Sequence, residues 1–122
     1  MTWERRIHPR AIVGLPAQIQ EVGGDSWDDV FLYDLSACGA AVHAERAVPI
    51  RTEVRLRFLL PRAQDAEDTQ ITITCLVVRS GTPSQPRFAP AFMIGLHFLD
   101  LVAEDFDRVR VFVWNSVQRQ AG

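Results

Sequence analysis

Apolar and polar side chains alternate with a period of two in two neighbouring segments, residues 53–60 and 70–79. This is the spacing of a β-strand that is buried on one face only. The apolar positions are Val54, Leu56, Phe58 and Leu60 in the first segment and Ile71, Ile73, Cys75 and Val77 in the second. Pro61 ends the first segment, and the acidic stretch 64–68 between the two is predicted to be a solvated loop.

The chain contains four other short β-rich segments, which are separated by turn residues. They cover residues 11–21, 27–35, 39–44 and 91–99. Pro16 is predicted to break the first strand, and Gly23-Gly24-Asp25 predicts a hairpin turn because glycine accepts positive φ. Residues 80–90 contain Gly81 and three prolines and predict a loop longer than a barrel hairpin needs. Closely spaced strands of this kind favour a barrel or a sandwich over alternating strands and helices.

The period changes near the C-terminus. Apolar residues recur at helical spacing, namely Val102, Phe106, Val109, Val113 and Val117, which predicts an amphipathic helix over residues 102–118. Asp100 is the predicted cap of this helix. Phe112 and Trp114 lie partly outside the apolar stripe that these residues form, and they either widen the core contact or mark a partner surface. The predicted fold is mainly β: a six-stranded antiparallel barrel, residues 11–122, with a C-terminal α-helix.

Composition excludes several classes of protein. The chain has 122 residues and a net charge of −2, which suits one globular domain and argues against a protein that coats nucleic acid or an anionic membrane. We find no secretory signal and no apolar run of the ~20 residues that a membrane-spanning helix needs. We therefore expect a cytoplasmic protein with no membrane insertion, whose Cys38 and Cys75 are reduced, small, buried core residues.

Two short motifs carry the candidate chemistry. Arg6 and Arg10 form Arg-x-x-x-Arg directly after Arg5, in an arginine-rich segment, residues 1–10, that we expect to be a flexible arm. Asp-x-Ser-x-x-Gly follows 24 positions after Arg10, at the end of the second predicted strand; its defining residues are Asp34, Ser36 and Gly39. Alone, the first motif is typical of a solvated tail and the second of a turn with side-chain hydrogen bonds.

In this order and spacing, with β-strands after them, the motifs resemble the paired signature of PilZ domains. The segment 93–101, Met-Ile-Gly-Leu-His-Phe-Leu-Asp-Leu, is similar to the last strand and helix start of that family, so the resemblance covers nearly the whole chain. It implies a bacterial receptor or adaptor that binds cyclic di-GMP and relays the signal to a downstream effector protein. It also implies the ligand contacts: Arg6 and Arg10 as main clamps, Arg5 as a helper, and Asp34, Ser36 and Gly39 as a second wall.

The chemistry of these side chains agrees with that ligand. The planar guanidinium fork pairs with phosphate oxygens or with guanine O6 and N7, and it stacks on purines. A carboxylate facing a dianionic ligand makes sense if Asp34 reads the guanine N1–H and amino donors. Pro9 biases His8 toward an extended conformation, so we expect the arm to lie along the ligand and become ordered by it.

Two departures from the family pattern bear on loops and partner choice. Val102 stands where a Ser or Thr cap is common, and the segment 80–90 is long. The second hypothesis is a PilZ-type adaptor that works through protein contacts with weak or no nucleotide binding. An enzyme or a binder of DNA or RNA is a third, weaker class. We expect a monomer or a homodimer, with no catalytic residues and no cofactor.

No metal site is expected, because His8, His43 and His97 lack close metal-ligand spacing to one another or to the cysteines. His97 falls in a strand, where we expect it at the surface or satisfied in the barrel. Ser36 lacks the sequence context of a nucleophile.

Overall fold

A computed structural model of the chain describes residues 9–61, 68–81 and 92–121. It contains six strands and one helix in these ranges: β1 Ala11–Glu21, β2 Asp28–Leu35, β3 Gly39–Ala44, β4 Glu53–Leu60, β5 Thr69–Gly81, β6 Phe92–Phe98 and α1 Ala103–Ala121. The strands form a closed antiparallel barrel in the order β1-β2-β3-β6-β5-β4. The predicted fold class, a six-stranded barrel with a C-terminal helix, is confirmed.

The alternation of β4 and β5 produces the interior of the barrel. The two strands pair so that Leu56 lies opposite Ile73 and Val54 opposite Cys75, and all four side chains are completely buried. Residues at a spacing of two point to the same face of a strand. One face of each strand therefore fills the core, as the sequence pattern predicts.

The first strand does not break at Pro16, contrary to the prediction. Its irregularity lies earlier, between Ile12 and Leu15, where Gly14 has a φ of 60°. Pro16 itself pairs with β2, and pairing of β1 with β4 begins only at Ala17. A proline cannot donate a backbone hydrogen bond, and it is tolerated here because only one of the two neighbouring strands pairs with this position. The predicted hairpin turn is present, with Gly23 at a φ of 89° and a 2.8 Å hydrogen bond from Gly24 N to Glu21 O.

The C-terminal helix packs one face on the barrel. Val109 and Val113 are buried in the core, and Phe112 and Val117 pack against it. Trp114 is 56% exposed, so of the two residues off the stripe only Phe112 widens the core contact.

The start of the helix differs from the prediction. Asp100 does not cap it; its Oδ1 accepts a 2.7 Å hydrogen bond from Thr74 N on β5. The first helical hydrogen bond runs from Phe106 N to Val102 O, and Val102 is 61% exposed, so the stripe begins later than the sequence pattern suggests.

The two cysteines have different environments, and the prediction that both are buried is wrong for Cys38. Cys75 is buried inside the barrel, whereas Cys38 is exposed in the turn between β2 and β3. Burial raises the pKa of the Cys75 thiol to about 12, and the negative charge of Asp100 adds to the effect. Both thiols are free.

Two further predictions concern segments that the structure describes only in part. Ser80 and Gly81 belong to β5, and the rest of the predicted loop 80–90 lies outside the described residues. Within those residues, no helix combines the length and apolar character that crossing a membrane requires.

Candidate ligand-binding surface

Arg10 and Asp34 meet on the outer surface of the barrel. Arg10 directly precedes β1, and Ile12 is the β1 residue paired with Asp34 on β2, so Arg10 lies at the start of the strand next to Asp34. Arg10 Nη1 is 3.9 Å from Asp34 Oδ2, and the side chains are 42% and 17% exposed, respectively. A contact of this length in a partly exposed position is a weak ion pair. Arg10 thus keeps donors that a ligand can reach.

Asp34 is held in place from the other side by β3. Its Oδ1 accepts a 3.1 Å hydrogen bond from Ala41 N, whereas Oδ2 faces Arg10. The register of β2 against β3 shifts between Leu32 and Asp34, and such a bulge re-aims side chains. Leu32 is completely buried, whereas Tyr33 and Asp34 are both partly exposed. The bulge therefore turns two consecutive side chains out of the core.

Ser36 organises the turn after β2. Its hydroxyl accepts hydrogen bonds from Cys38 N at 3.2 Å and Gly39 N at 3.1 Å, and it donates to Gly39 O at 3.2 Å. The residue is only 1% exposed. The hydroxyl is thus engaged with the backbone, which is the turn function that the motif has outside any binding site. A direct contact of Ser36 with a ligand stays a prediction.

Gly39 is required by the barrel itself. It pairs with His97 of β6, and a Cβ at this position would lie 2.5 Å from the carbonyl oxygen of Leu96. Its φ is not in the positive region. The glycine therefore permits a close approach of two strands, and its contact with a ligand remains a prediction.

Aromatic side chains adjoin the charged pair, and neither sequence motif includes them. Tyr33 stacks on His43 with ring centroids 5.2 Å apart and an interplanar angle of 14°. Phe31, 46% exposed, lies 6.3 Å from the same imidazole ring. Their alternation along β2 and the neighbouring position of His43 on β3 are the sequence signals that point to this cluster.

The structure thus brings together four of the six predicted site residues, Arg10, Asp34, Ser36 and Gly39. The remaining two, Arg5 and Arg6, lie outside the described residues, as does most of the predicted arm. His97 is exposed on β6, which is the first of the two predicted alternatives, a position at the surface. Among the described residues, no group of three or more His, Cys, Asp or Glu side chains is arranged to hold a metal ion.

Fold and site together define a small closed-barrel domain that carries a charged pair and a tight Asp-x-Ser-x-x-Gly turn on its outer surface. The family model for the PilZ domain matches residues 4–113. The chain belongs to the PilZ domain family.

Solved structures show the same fold at low sequence identity. The Bacillus subtilis inhibitor of motility MotI/DgrA matches with a TM-score of 0.77 and 22% identity, over 97% of this chain and 52% of that chain. The PilZ domain of YcgR from Escherichia coli, solved with cyclic di-GMP, matches with a TM-score of 0.66 and 15% identity, over 97% and 95%.

A third structure, the MrkH–cyclic di-GMP complex of K. pneumonia, matches with a TM-score of 0.66 and 14% identity, over 97% of this chain and 54% of that chain. The chain therefore spans about half the length of MotI/DgrA and of MrkH. A comparison with curated protein sequences found no significant match.

Proposed function

We propose that this chain is a cytoplasmic receptor for cyclic di-GMP that relays the second messenger to an effector protein. The observation that carries the proposal is the placement of Arg10 beside Asp34 on one outer face of the barrel, at 3.9 Å. Membership of the PilZ family and the cyclic di-GMP complexes of two structural neighbours support it.

The two side chains suit two different parts of the ligand. The guanidinium group of Arg10 offers a fork for a phosphate or for guanine O6 and N7. Asp34 offers Oδ2, which the barrel leaves facing only a weakly bound arginine, to the guanine N1–H and amino groups. A ligand that engaged both would replace one weak ion pair by several charge-assisted hydrogen bonds, which are about twice as strong as neutral ones.

The relay mechanism rests on the N-terminal arm. Arg5 and Arg6 precede Arg10 in the sequence, so a ligand held at Asp34 is within reach of the segment that carries them. Ordering of that segment upon binding creates a difference between the free and bound surfaces, which any ligand-dependent switch requires. We propose that an effector protein reads this difference. Protection of residues 1–10 from protease by cyclic di-GMP tests this step independently of affinity.

Calorimetric titration with cyclic di-GMP tests the binding step. Wild type is expected to bind, and Arg10→Ala to bind at least tenfold more weakly. Arg55→Ala is the matched control, because Arg55 is exposed on β4 and pairs with Gln20, at the other end of β1 from Ile12, the partner of Asp34. Absence of binding by wild type at tens of micromolar ligand would contradict the receptor proposal. Equal binding by wild type and Arg10→Ala would place the site elsewhere.

The second candidate is a protein adaptor with weak or no nucleotide binding. The observation that favours it is a pair of exposed apolar side chains one turn apart on the outer face of α1, Val111 (49% exposed) and Trp114 (56% exposed). Large aromatic side chains are frequent anchors of protein interfaces. Wild-type protein that gives no heat with cyclic di-GMP, yet loses its partner upon Trp114→Ala, would favour this candidate.

A further inference from the structure

The outer face of α1 carries a line of exposed side chains with the spacing of a coiled-coil seam. The intervals between them are three, four, three and four residues, and the five are Glu104, Asp107, Val111, Trp114 and Gln118. Side chains three and four residues apart are neighbours on a helix surface, and alternation of the two intervals forms a line along which two helices pack. We call this line the outer stripe.

The outer stripe faces away from the barrel. An α-helix turns by about 100° per residue, so Val111 points about 200° away from both Val109 and Val113, each of which is two residues from it. Those two valines are buried in the core. A second helix can therefore lie along the stripe while the inner face of α1 stays on the barrel.

Apolar side chains occupy the centre of the outer stripe and polar ones its ends. Val111 is 49% and Trp114 is 56% exposed, and Glu104, Asp107 and Gln118 flank them along the helix. Protein interfaces bury apolar residues at their centre and leave charged residues at their rim, and tryptophan is a frequent anchor. The stripe thus has the layout of a helix interface, and its charges indicate which helix it fits.

The first half of α1, positions 103–113, has an excess of negative charge. Its two arginines, Arg108 and Arg110, form ion pairs with Asp105 and Asp107 of the same helix. Glu104 is a third acid, 3.6 Å from the same Arg108 that contacts Asp105 at 2.8 Å. One negative charge is therefore left over in this half.

The last turn of α1 carries the opposite charge. Arg119 is exposed, and its side chain donates a long, 3.4 Å hydrogen bond to Ser116 Oγ. None of the ion pairs found in the described part of the chain includes Arg119. The charge of α1 thus changes from negative to positive along the outer stripe.

A stripe of this kind is complementary to a reversed copy of itself. A two-fold axis level with the midpoint between Val111 and Trp114 brings Trp114 of each copy level with Val111 of the other. The same axis brings Arg119 of the second copy level with position 106, between Glu104 and Asp107. Antiparallel helix dipoles add to the attraction, whereas a parallel arrangement would place the two acidic halves against each other.

From this pattern we infer that the outer stripe binds the outer stripe of a second copy of the chain, as an antiparallel two-fold dimer. The inference goes beyond the proposed function and does not depend on cyclic di-GMP. One helix from each copy gives an interface smaller than the about 1,200 Å² of a standard protein–protein interface. The dimer is therefore a weak one that dissociates upon dilution.

Sedimentation of the full chain from micromolar to millimolar concentration tests the inference. The mass of wild type is expected to rise with concentration from 13.8 kDa toward twice that value. Trp114→Ala is expected to dimerise at least tenfold more weakly, because it removes the largest apolar contact. Ile50→Ala is the control, since Ile50 is a similarly exposed apolar side chain outside α1, and it should dimerise like wild type. Circular dichroism spectra check that each variant is folded.

A charge exchange tests the antiparallel arrangement. Arg119→Glu should weaken the dimer, and Glu104→Arg in the same chain should restore it, because the two ends of the stripe then exchange signs. A parallel dimer would gain nothing from the second substitution.

Three results would overturn the inference. They are a wild type that stays monomeric throughout, which would leave the stripe to a different partner, a Trp114→Ala variant that dimerises like wild type, and a double variant that remains as weak as Arg119→Glu. None of them bears on the proposed function, which calorimetry with cyclic di-GMP tests separately.

Discussion

Gly39 lies so close to β6 that a Cβ on it would stand 2.5 Å from the carbonyl oxygen of Leu96. The last residue of the Asp-x-Ser-x-x-Gly motif is thus fixed by the packing of two strands, whatever else it contacts. Its backbone oxygen is also bound by Ser36, through both the amide and the hydroxyl of that residue. The motif therefore joins the turn between β2 and β3 to the neighbouring strand β6.

Gly39→Ala is expected to lower the free energy of unfolding by about 1–3 kcal/mol, because the methyl group must push β3 away from β6. Urea denaturation followed by circular dichroism measures this change. Gly81→Ala is the matched control, since a Cβ at Gly81 meets nothing within 4 Å and its φ is not positive. An equal loss of stability in both variants would show that the effect comes from strand glycines in general and not from the contact with Leu96.

Ser36→Ala is expected to destabilise the protein by about 1–3 kcal/mol, because it leaves the amides of Cys38 and Gly39 without their acceptor in a part-buried turn. The midpoint of urea denaturation reports the change. Ser80→Ala, a substitution of a half-buried serine on β5, controls for the loss of a hydroxyl group. If Ser36→Ala is as stable as wild type yet binds cyclic di-GMP poorly, the hydroxyl serves the ligand and not the turn.

Much of the fold could be predicted because one face of each strand is buried. The alternation around Leu56 and Ile73 reports that directly, and every predicted strand is present with bounds shifted by two residues or fewer. The predicted break at Pro16 was wrong because a missing amide hydrogen matters only where a neighbouring strand would accept its hydrogen bond, and β4 does not pair with Pro16. The predicted helix cap at Asp100 was wrong because its carboxylate accepts a hydrogen bond from the amide of Thr74, which is near in space and far in sequence.

The candidate site, like the fold, could be predicted from the sequence only in part. Asp34 and Gly39 are visible as a motif because their spacing is set within one turn. What they contact, Ala41 and Leu96, depends on strand register and on the bulge after Leu32.

The two cysteines are expected to differ sharply in reactivity. Cys38 is exposed, whereas Cys75 is buried and its pKa is raised to about 12, and the thiolate is the reactive form. An aromatic disulfide reagent at pH 8 should therefore label one thiol of the native protein quickly and the second only upon unfolding. Cys38→Ser should abolish the fast phase. Because Cys38 lies within the motif turn, saturating cyclic di-GMP should slow the fast phase; an unchanged rate would indicate that the ligand does not cover the turn.

Asp34 is expected to select for the guanine amino group. Asp34→Asn keeps an oxygen for the hydrogen bond from Ala41 N, so the barrel should remain folded, but the variant loses the negative charge that two adjacent guanine donors favour. We expect cyclic di-GMP to bind at least tenfold more weakly to Asp34→Asn. Cyclic di-IMP, which lacks the amino group, gives the sharper test by calorimetry. Wild type should prefer cyclic di-GMP over cyclic di-IMP, and Asp34→Asn should lose most of that preference. An undiminished preference in the variant would show that another residue reads the base, and would leave Asp34 with a positioning role toward Arg10.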